Sequence, residues 1–172
     1  MDLWTAIDLR CSVRGFDSSD VSPETVERIL QAAIRAPSAG NRQPWHFVVV
    51  RHRETKQSLA EAAYGQDFVA QAPVVIVVCA DPERSGARYG SRGRELYCLQ
   101  DTAAAIEHIL LAATASGLGC CWVGAFDETA ARRALNLPGH LRPVAMVPIG
   151  QPTEPRHRSS RRPLSDVTSF VG

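Results

Sequence analysis

A chain of 172 residues with a formal net charge of +1 is long enough to bury about 70% of its unfolded surface in one core, and it carries no overall field that would favour nucleic acid or an anionic membrane. Its basic charge is almost wholly arginine, with Lys56 the single lysine, and its longest apolar run, residues 74–80, is far too short to span a bilayer. The five cysteines (Cys11, Cys79, Cys98, Cys120 and Cys121) show no C-x-x-C pair or zinc-type His-Cys spacing, and Met1-Asp2-Leu3-Trp4 lacks the basic and apolar regions of a signal peptide, so a reduced, soluble, cytoplasmic protein without a metal is expected.

Leu3, Ile7 and Leu9 mark a short opening segment compatible with a helix that delivers the chain to Arg10. Ser22-Pro23-Glu24 reads as a helix start, with Ser22 as N-cap, Pro23 at the first helical position and Glu24 favourable towards the dipole. Val26, Ile29, Leu30, Ala33 and Ile34 follow at helical spacing, which carries the helix to about Arg35 before Pro37 stops it. Residues 46–51 predict a short buried strand, residues 53–64 an exposed amphipathic helix, and residues 73–80 (PVVIVVCA) a central strand apolar on both faces. Residues 81–94 mix Gly86, Gly90 and Gly93 with Arg84, Arg88, Arg92 and Arg94 and show no core stripe, which predicts a mobile surface loop.

Residues 95–116 form a nearly all-round apolar helix ended by Gly117, expected to pack both on a sheet and on a second subunit. A short strand at 120–123, a helix at 127–135 capped by Asp127 and a last strand at 143–150 follow; the tail from Gln151 has little core of its own. No repeat or linker divides the chain. The expectation is one domain, residues 1–172, of α+β class, with three layers around a small mixed sheet. No G-x-G-x-x-G follows a strand and no phosphate-binding G-x-x-x-x-G-K-[ST] occurs, which argues against a Rossmann or P-loop domain.

Two short stretches carry chemistry. In Arg10-Cys11-Ser12-Val13-Arg14 two guanidiniums bracket a hydroxyl and free backbone N–H groups, a donor set suited to a phosphate monoester, although a solvated turn would have the same composition. In residues 36–45 (APSAGNRQPW) Asn41 and Gln43 offer neutral amides that match the mixed carbonyl and N–H edge of a heteroaromatic ring, and Pro37 and Pro44 stiffen their presentation. A helix-ending turn before a strand would also use these residues.

The stretches RCSVRGF, VSPETVERILQAAIRAPSAGNRQPWHFVVV, GLGCCWVGAFDE and PIGQP, in this order and spacing, resemble the nitroreductase family of FMN-dependent flavoproteins. The resemblance implies an α+β fold, three-layer α/β/α with a mainly antiparallel central sheet, in an intertwined homodimer with FMN at the interface. On that reading Arg10, Cys11, Ser12 and Arg14 hold the ribityl phosphate, and Pro37, Ser38, Asn41 and Gln43 approach the ring largely from the other subunit. Trp122, Val123 and Gly124 match the stretch whose backbone passes along the flavin, with Trp122 itself expected to fill the core; Gln66 is a fainter match. Arg161 best matches the tail arginine that completes the phosphate site, with Arg158 and Arg162 as competitors.

The implied activity is two-step hydride transfer, from NAD(P)H to FMN and then to a nitroaromatic, quinone or similar electron-poor acceptor, with no protein nucleophile required. The same scaffold hosts dehydrogenase, dehalogenase and flavin-modifying reactions, and a non-catalytic flavin store or sensor is the alternative from another class. The arginines at 156–162 lack interleaved aromatics and make a poor nucleic-acid surface.

Overall fold

Four strands, β1 (Trp45–Val50), β2 (Val74–Ala80), β3 (Gly119–Cys120) and β4 (Arg142–Gly150), form one sheet in the order β1-β2-β4-β3 in the computed structural model, which describes residues 1–155, 157 and 159–172. Every ladder is antiparallel, so the mixed sheet expected from element order is corrected: the one parallel contact among the described residues is the isolated bridge from Ser12 to Cys120. Alternation along β2 builds the centre of the molecule. Val74, Ile76 and Val78 face one core while Val75, Val77 and Cys79 face the other, and all of β2 is buried. Each fully buried Val or Ile there contributes about 1.5–3 kcal/mol.

Helices α1 (Leu3–Leu9) and α2 (Pro23–Ala33) lie on the same side as the long α6 (Cys98–Ala115), whose Ile106, Ile109, Leu110 and Ala113 pack with Val26, Ile29 and Ala33 over one sheet face. The opposite face carries α3 (Arg53–Ala62), α4 (Phe68–Gln71) and α7 (Glu128–Leu135), through Leu59, Val69 and Ala131. The result is a three-layer α/β/α arrangement. Caps are as the sequence indicates: Ser22 accepts from the N–H of Thr25, and Asp127 from those of Thr129 and Ala130.

The segment expected to be a mobile loop is a helix. Asp81 caps α5 (Pro82–Arg92) by accepting from the N–H of Arg84, Pro82 takes the first position, and a π-helical turn, Gly93–Tyr97, leads into α6. Gly93 marks close packing, since a Cβ there would meet the Ser85 backbone at 2.6 Å, whereas Gly90 breaks the helix at φ 58°. Helix α3 is amphipathic as expected: Arg53, Glu54, Gln57, Ser58 and Glu61 are exposed, and Lys56, Leu59, Ala60 and Ala62 are buried on the inner face. Burial pulls the Lys56 ammonium below its usual pKa, and its Nζ donates to the carbonyl of Ala72 at 2.5 Å. The strand expected at 120–123 shortens to β3 plus a bridge from Val123 to Met146.

Candidate functional site

The Arg10–Arg14 segment is fastened to the β3 edge of the sheet. The Val13 N–H donates to the Cys120 carbonyl at 2.9 Å, and farther along the Asp17 and Thr153 N–H groups bond to Gln151 and Gly15, tying the segment to the exit of β4. A Cβ on Gly119 would meet Val13 at 2.8 Å, so this approach requires glycine. Arg10, Cys11 and Ser12 line a cavity of about 390 Å³ together with Ile7, Asp8, Ser159 and Arg161. Cys11, Ser12 and Arg14 line a smaller cavity beside it with His157 and Glu154.

The guanidiniums of Arg10 and Arg14 have no hydrogen-bond or ion-pair partner among the described residues; that of Arg14 lies 5.9 Å from the centre of the Phe68 ring. Arg161 donates to the carbonyls of Ser159 and Ser160, whereas Arg162 turns to the carbonyl of Asp166 and lines neither cavity. The other competitor, Arg158, and with it Arg156, lies outside the described residues. Arg10, the Ser12 hydroxyl and Arg161 around one recess, with Arg14 lining the smaller cavity that shares Cys11 and Ser12, fit a phosphate dianion. Burial raises the pKa of the nearby Cys121 thiol against the opposing pull of Arg14, Ser12 and Arg10.

The second motif is a strained turn at the start of β1. Gly40, Asn41 and Gln43 all take left-handed backbone angles, φ 55°, 53° and 51°. Neighbouring bonds hold them there: the Gln43 N–H donates to Ser38 Oγ at 3.0 Å, the Ala39 N–H to Asp101 Oδ1 at 3.0 Å, and Gln43 Nε2 to Asn41 Oδ1 at 3.2 Å. Arg42 and Arg84 exchange bonds, each Nε donating to the other's carbonyl at 3.0 and 2.6 Å. Pro37, Asn41 and Gln43 are exposed and Ser38 half-buried, so two linked amides are presented outward on a fixed turn.

The two motifs do not meet within the chain. Ser12 lies beside β3, where Cys120 pairs with Ile149 at the Val74 end of β2; the turn lies before β1, where Trp45 pairs with Ala80 at the other end. Three interstrand spacings across and about six residues along put them on the order of 20 Å apart, at diagonal corners of the sheet. Val123 is buried in its bridge to Met146, which turns Trp122 outward. Trp122 is 40% exposed, correcting the expectation that it fills the core. Gly124 is exposed beside the Trp122 ring, and Gln66 donates to the carbonyls of Ala63 and Ala125, which ties the end of α3 to the same segment.

The sequence profile described as the Nitroreductase family matches residues 7–66 and 61–151. The chain belongs to that family. Among solved structures, a nitroreductase family protein from Clostridium novyi NT superposes with a TM-score of 0.82 at 34% identity, covering 92% of this chain and 89% of that one. A protein of Archaeoglobus fulgidus, carrying the double name NADH dehydrogenase/NAD(P)H nitroreductase, is 40% identical over 149 residues, 84% of this chain and 82% of its own. The FMN reductase of Bacillus subtilis strain 168 is 29% identical over 165 residues, 88% of this chain and 65% of that protein. The chain is thus a member of an oxidoreductase family, similar to relatives named for NAD(P)H.

Two features of the amide turn escaped the sequence reading. Asp101 is 7% exposed, its Oδ2 has no partner among the described residues, and burial raises its pKa against the opposing Ala39 N–H. An acid on the inward face of an apolar helix, in line with Cys98, Thr102 and Ala105, was the available signal. The other feature is α5, which packs on Gly40: a Cβ there would collide with the Tyr89 hydroxyl and meet Arg88 Nε at 3.2 Å. Among the described residues no group of three His, Cys, Asp or Glu side chains could hold a metal, and no helix is long and apolar enough to cross a membrane.

Proposed function

We propose that the chain, as a single domain of residues 1–172, is the subunit of a cytoplasmic FMN-dependent homodimer that oxidises NAD(P)H and reduces a nitroaromatic, quinone or similar electron-poor acceptor. The observation that carries this reading is the diagonal separation of the two motifs. One is a cationic recess suited to a phosphate and the other a rigid amide turn suited to a ring, yet the sheet carries them to diagonal corners of one chain, where they build no common pocket. A second copy supplies the missing half of each site. The α1 face, with Leu3, Trp4 and Ile7 exposed, and the tail, with Leu164, Val167 and Phe170 exposed, offer the apolar surface for that contact.

In this assembly Arg10, Arg14, Arg161, Ser12 and the Cys11 N–H hold the phosphate, and Pro37, Ser38, Asn41 and Gln43 of the other subunit border the ring. Trp122, Val123, Gly124 and Gln66 form the wall beside it. When bound, FMN would supply the two-electron chemistry that links NAD(P)H oxidation to reduction of the acceptor. The protein's part is to fix the ring, present donors to its polar edge and leave one face open to both substrates in turn.

Anaerobic titration tests the reading directly. The FMN-loaded protein should bleach on addition of NADH or NADPH and recover its colour when a quinone is added. A protein that takes up no FMN on reconstitution disproves the proposal, and one that binds FMN but is not bleached by either nucleotide is a binding module.

A further inference from the structure

The α5 helix brings four arginines and two glutamates, counting through Tyr97, to the side of the amide turn. Three of those arginines are engaged within the chain. Arg94 forms a two-pronged pair with Glu83 at 2.9 and 3.0 Å, Arg92 donates to the Tyr97 hydroxyl at 2.9 Å, and Arg84 donates to the Arg42 carbonyl. Arg88 differs. It is exposed, has no hydrogen-bond acceptor or ion-pair partner among the described residues, and lies with its guanidinium 5.5 Å from the centre of the Tyr89 ring.

Its position is fixed from below. Tyr89 meets Tyr97 edge to face at 5.1 Å and 82°, and its hydroxyl rests on Gly40. Gly93 seats against the Ser85 backbone, and the Arg94 to Glu83 pair clamps the two ends of the segment together. A free cation is therefore presented on an aromatic platform, on a braced helix, directly against the turn that carries Asn41. A guanidinium over a ring face keeps its N–H donors available, and those donors match a carboxylate or phosphate.

We infer that Arg88, lying over the Tyr89 ring beside Gly40, determines specificity by selecting substrates that carry a carboxylate or phosphate. The inference rests on the proposed function, because it is the ring end of that site which this pair borders. The shared chemistry has two sources, an anionic acceptor or the phosphates of the pyridine nucleotide, and the two are separable.

The FMN-loaded protein and its Arg88→Gln and Arg88→Lys variants are assayed with 4-nitrobenzoate and with its neutral analogue 4-nitrobenzamide, and nucleotide KM values are measured with the neutral acceptor. Arg88→Gln should lower the ratio of kcat/KM for nitrobenzoate over nitrobenzamide about tenfold, chiefly through KM, and Arg88→Lys should restore part of it. If instead the nucleotide KM rises about tenfold, the selected anion is the nucleotide phosphate, which also supports the inference. Arg53→Gln, which removes an exposed arginine from α3, controls for net charge. Equal effects of Arg88→Gln and Arg53→Gln on every ratio overturn the role of Arg88, while turnover of nitrobenzamide by the parent protein reports separately on the proposed function. A chain that takes up no FMN overturns both.

Discussion

Asp101 illustrates how one side chain can govern a turn. Its Oδ1 accepts the Ala39 N–H, and removing that acceptor leaves a backbone donor unpaired at the start of three left-handed residues. Asp101→Ala should therefore cost about 1–3 kcal/mol in chemical denaturation and speed hydrogen exchange at Ala39, whereas Asp101→Asn, which retains an acceptor, should not. The pH dependence separates charge from contact. Because the folded pKa is raised above the ordinary 3.8, the native state holds a proton that the unfolded chain has released, so stability falls as pH rises through that window. Asp101→Asn abolishes that fall, and its stability advantage over the parent should grow from pH 4 upward. A constant difference across that range would show that Asp101 titrates alike in the folded and unfolded chain.

Gly40 gives a second test at this scale. Alanine there meets both the left-handed φ and the Tyr89 hydroxyl, and Gly40→Ala should destabilise the protein by about 1 kcal/mol or more in thermal or urea unfolding. Pairing it with Tyr89→Ala should relieve the collision but leave the backbone strain. The residue types at 10–14 and 36–45 were readable because their chemistry is local: arginine with serine, amides with prolines. Trp122 was misread because the Val123 bridge to Met146, which decides which way the tryptophan points, joins residues more than twenty positions apart.

Among the elements, those with caps were legible and α5 was not. Ser22-Pro23 and Asp127 announce their helices in consecutive residues, and the structure uses them as caps. Asp127→Ala should lower stability by about 1 kcal/mol through loss of its bonds to the Thr129 and Ala130 N–H groups, measurable in urea unfolding. The start of α5 offers similar signals in Asp81 and Pro82, but its glycines suggest looseness unless their partners are known. Gly93 needs Ser85 and Gly86 needs the Arg94 side chain, and neither contact has a period that a pattern of apolar residues would show. Strand β2 was the easiest to locate, since burial on both faces leaves it no polar position.

The three layers of the whole molecule follow from alternation in β2 and β4 and from the amphipathic helices that cover each face, and this much was legible before any coordinates. The geometry of the candidate site was not, because sequence order places the two motifs on either side of one helix while the sheet carries them to opposite corners. The proposed assembly makes a prediction at this scale. A chain bearing Arg10→Ala and Arg14→Ala, mixed by co-expression with one bearing Asn41→Ala, should form heterodimers in which one of the two sites is wholly intact. These should regain about half the activity per dimer that each doubly impaired homodimer lacks. If the heterodimers are no more active than either parent, the two motifs do not serve one site.

In the proposed homodimer the diagonal placement would also tie assembly to supply. If every FMN bridges two chains, each bound molecule is a non-covalent staple, and flavin availability tightens subunit association by mass action as surely as protein concentration does. Dilution of the flavin-free protein should then yield separate subunits under conditions in which the loaded protein stays paired, and turnover per chain should decline with dilution even when substrate is saturating. A small redox subunit of this design would sense its own cofactor, remaining inactive until flavin and a second copy are present together.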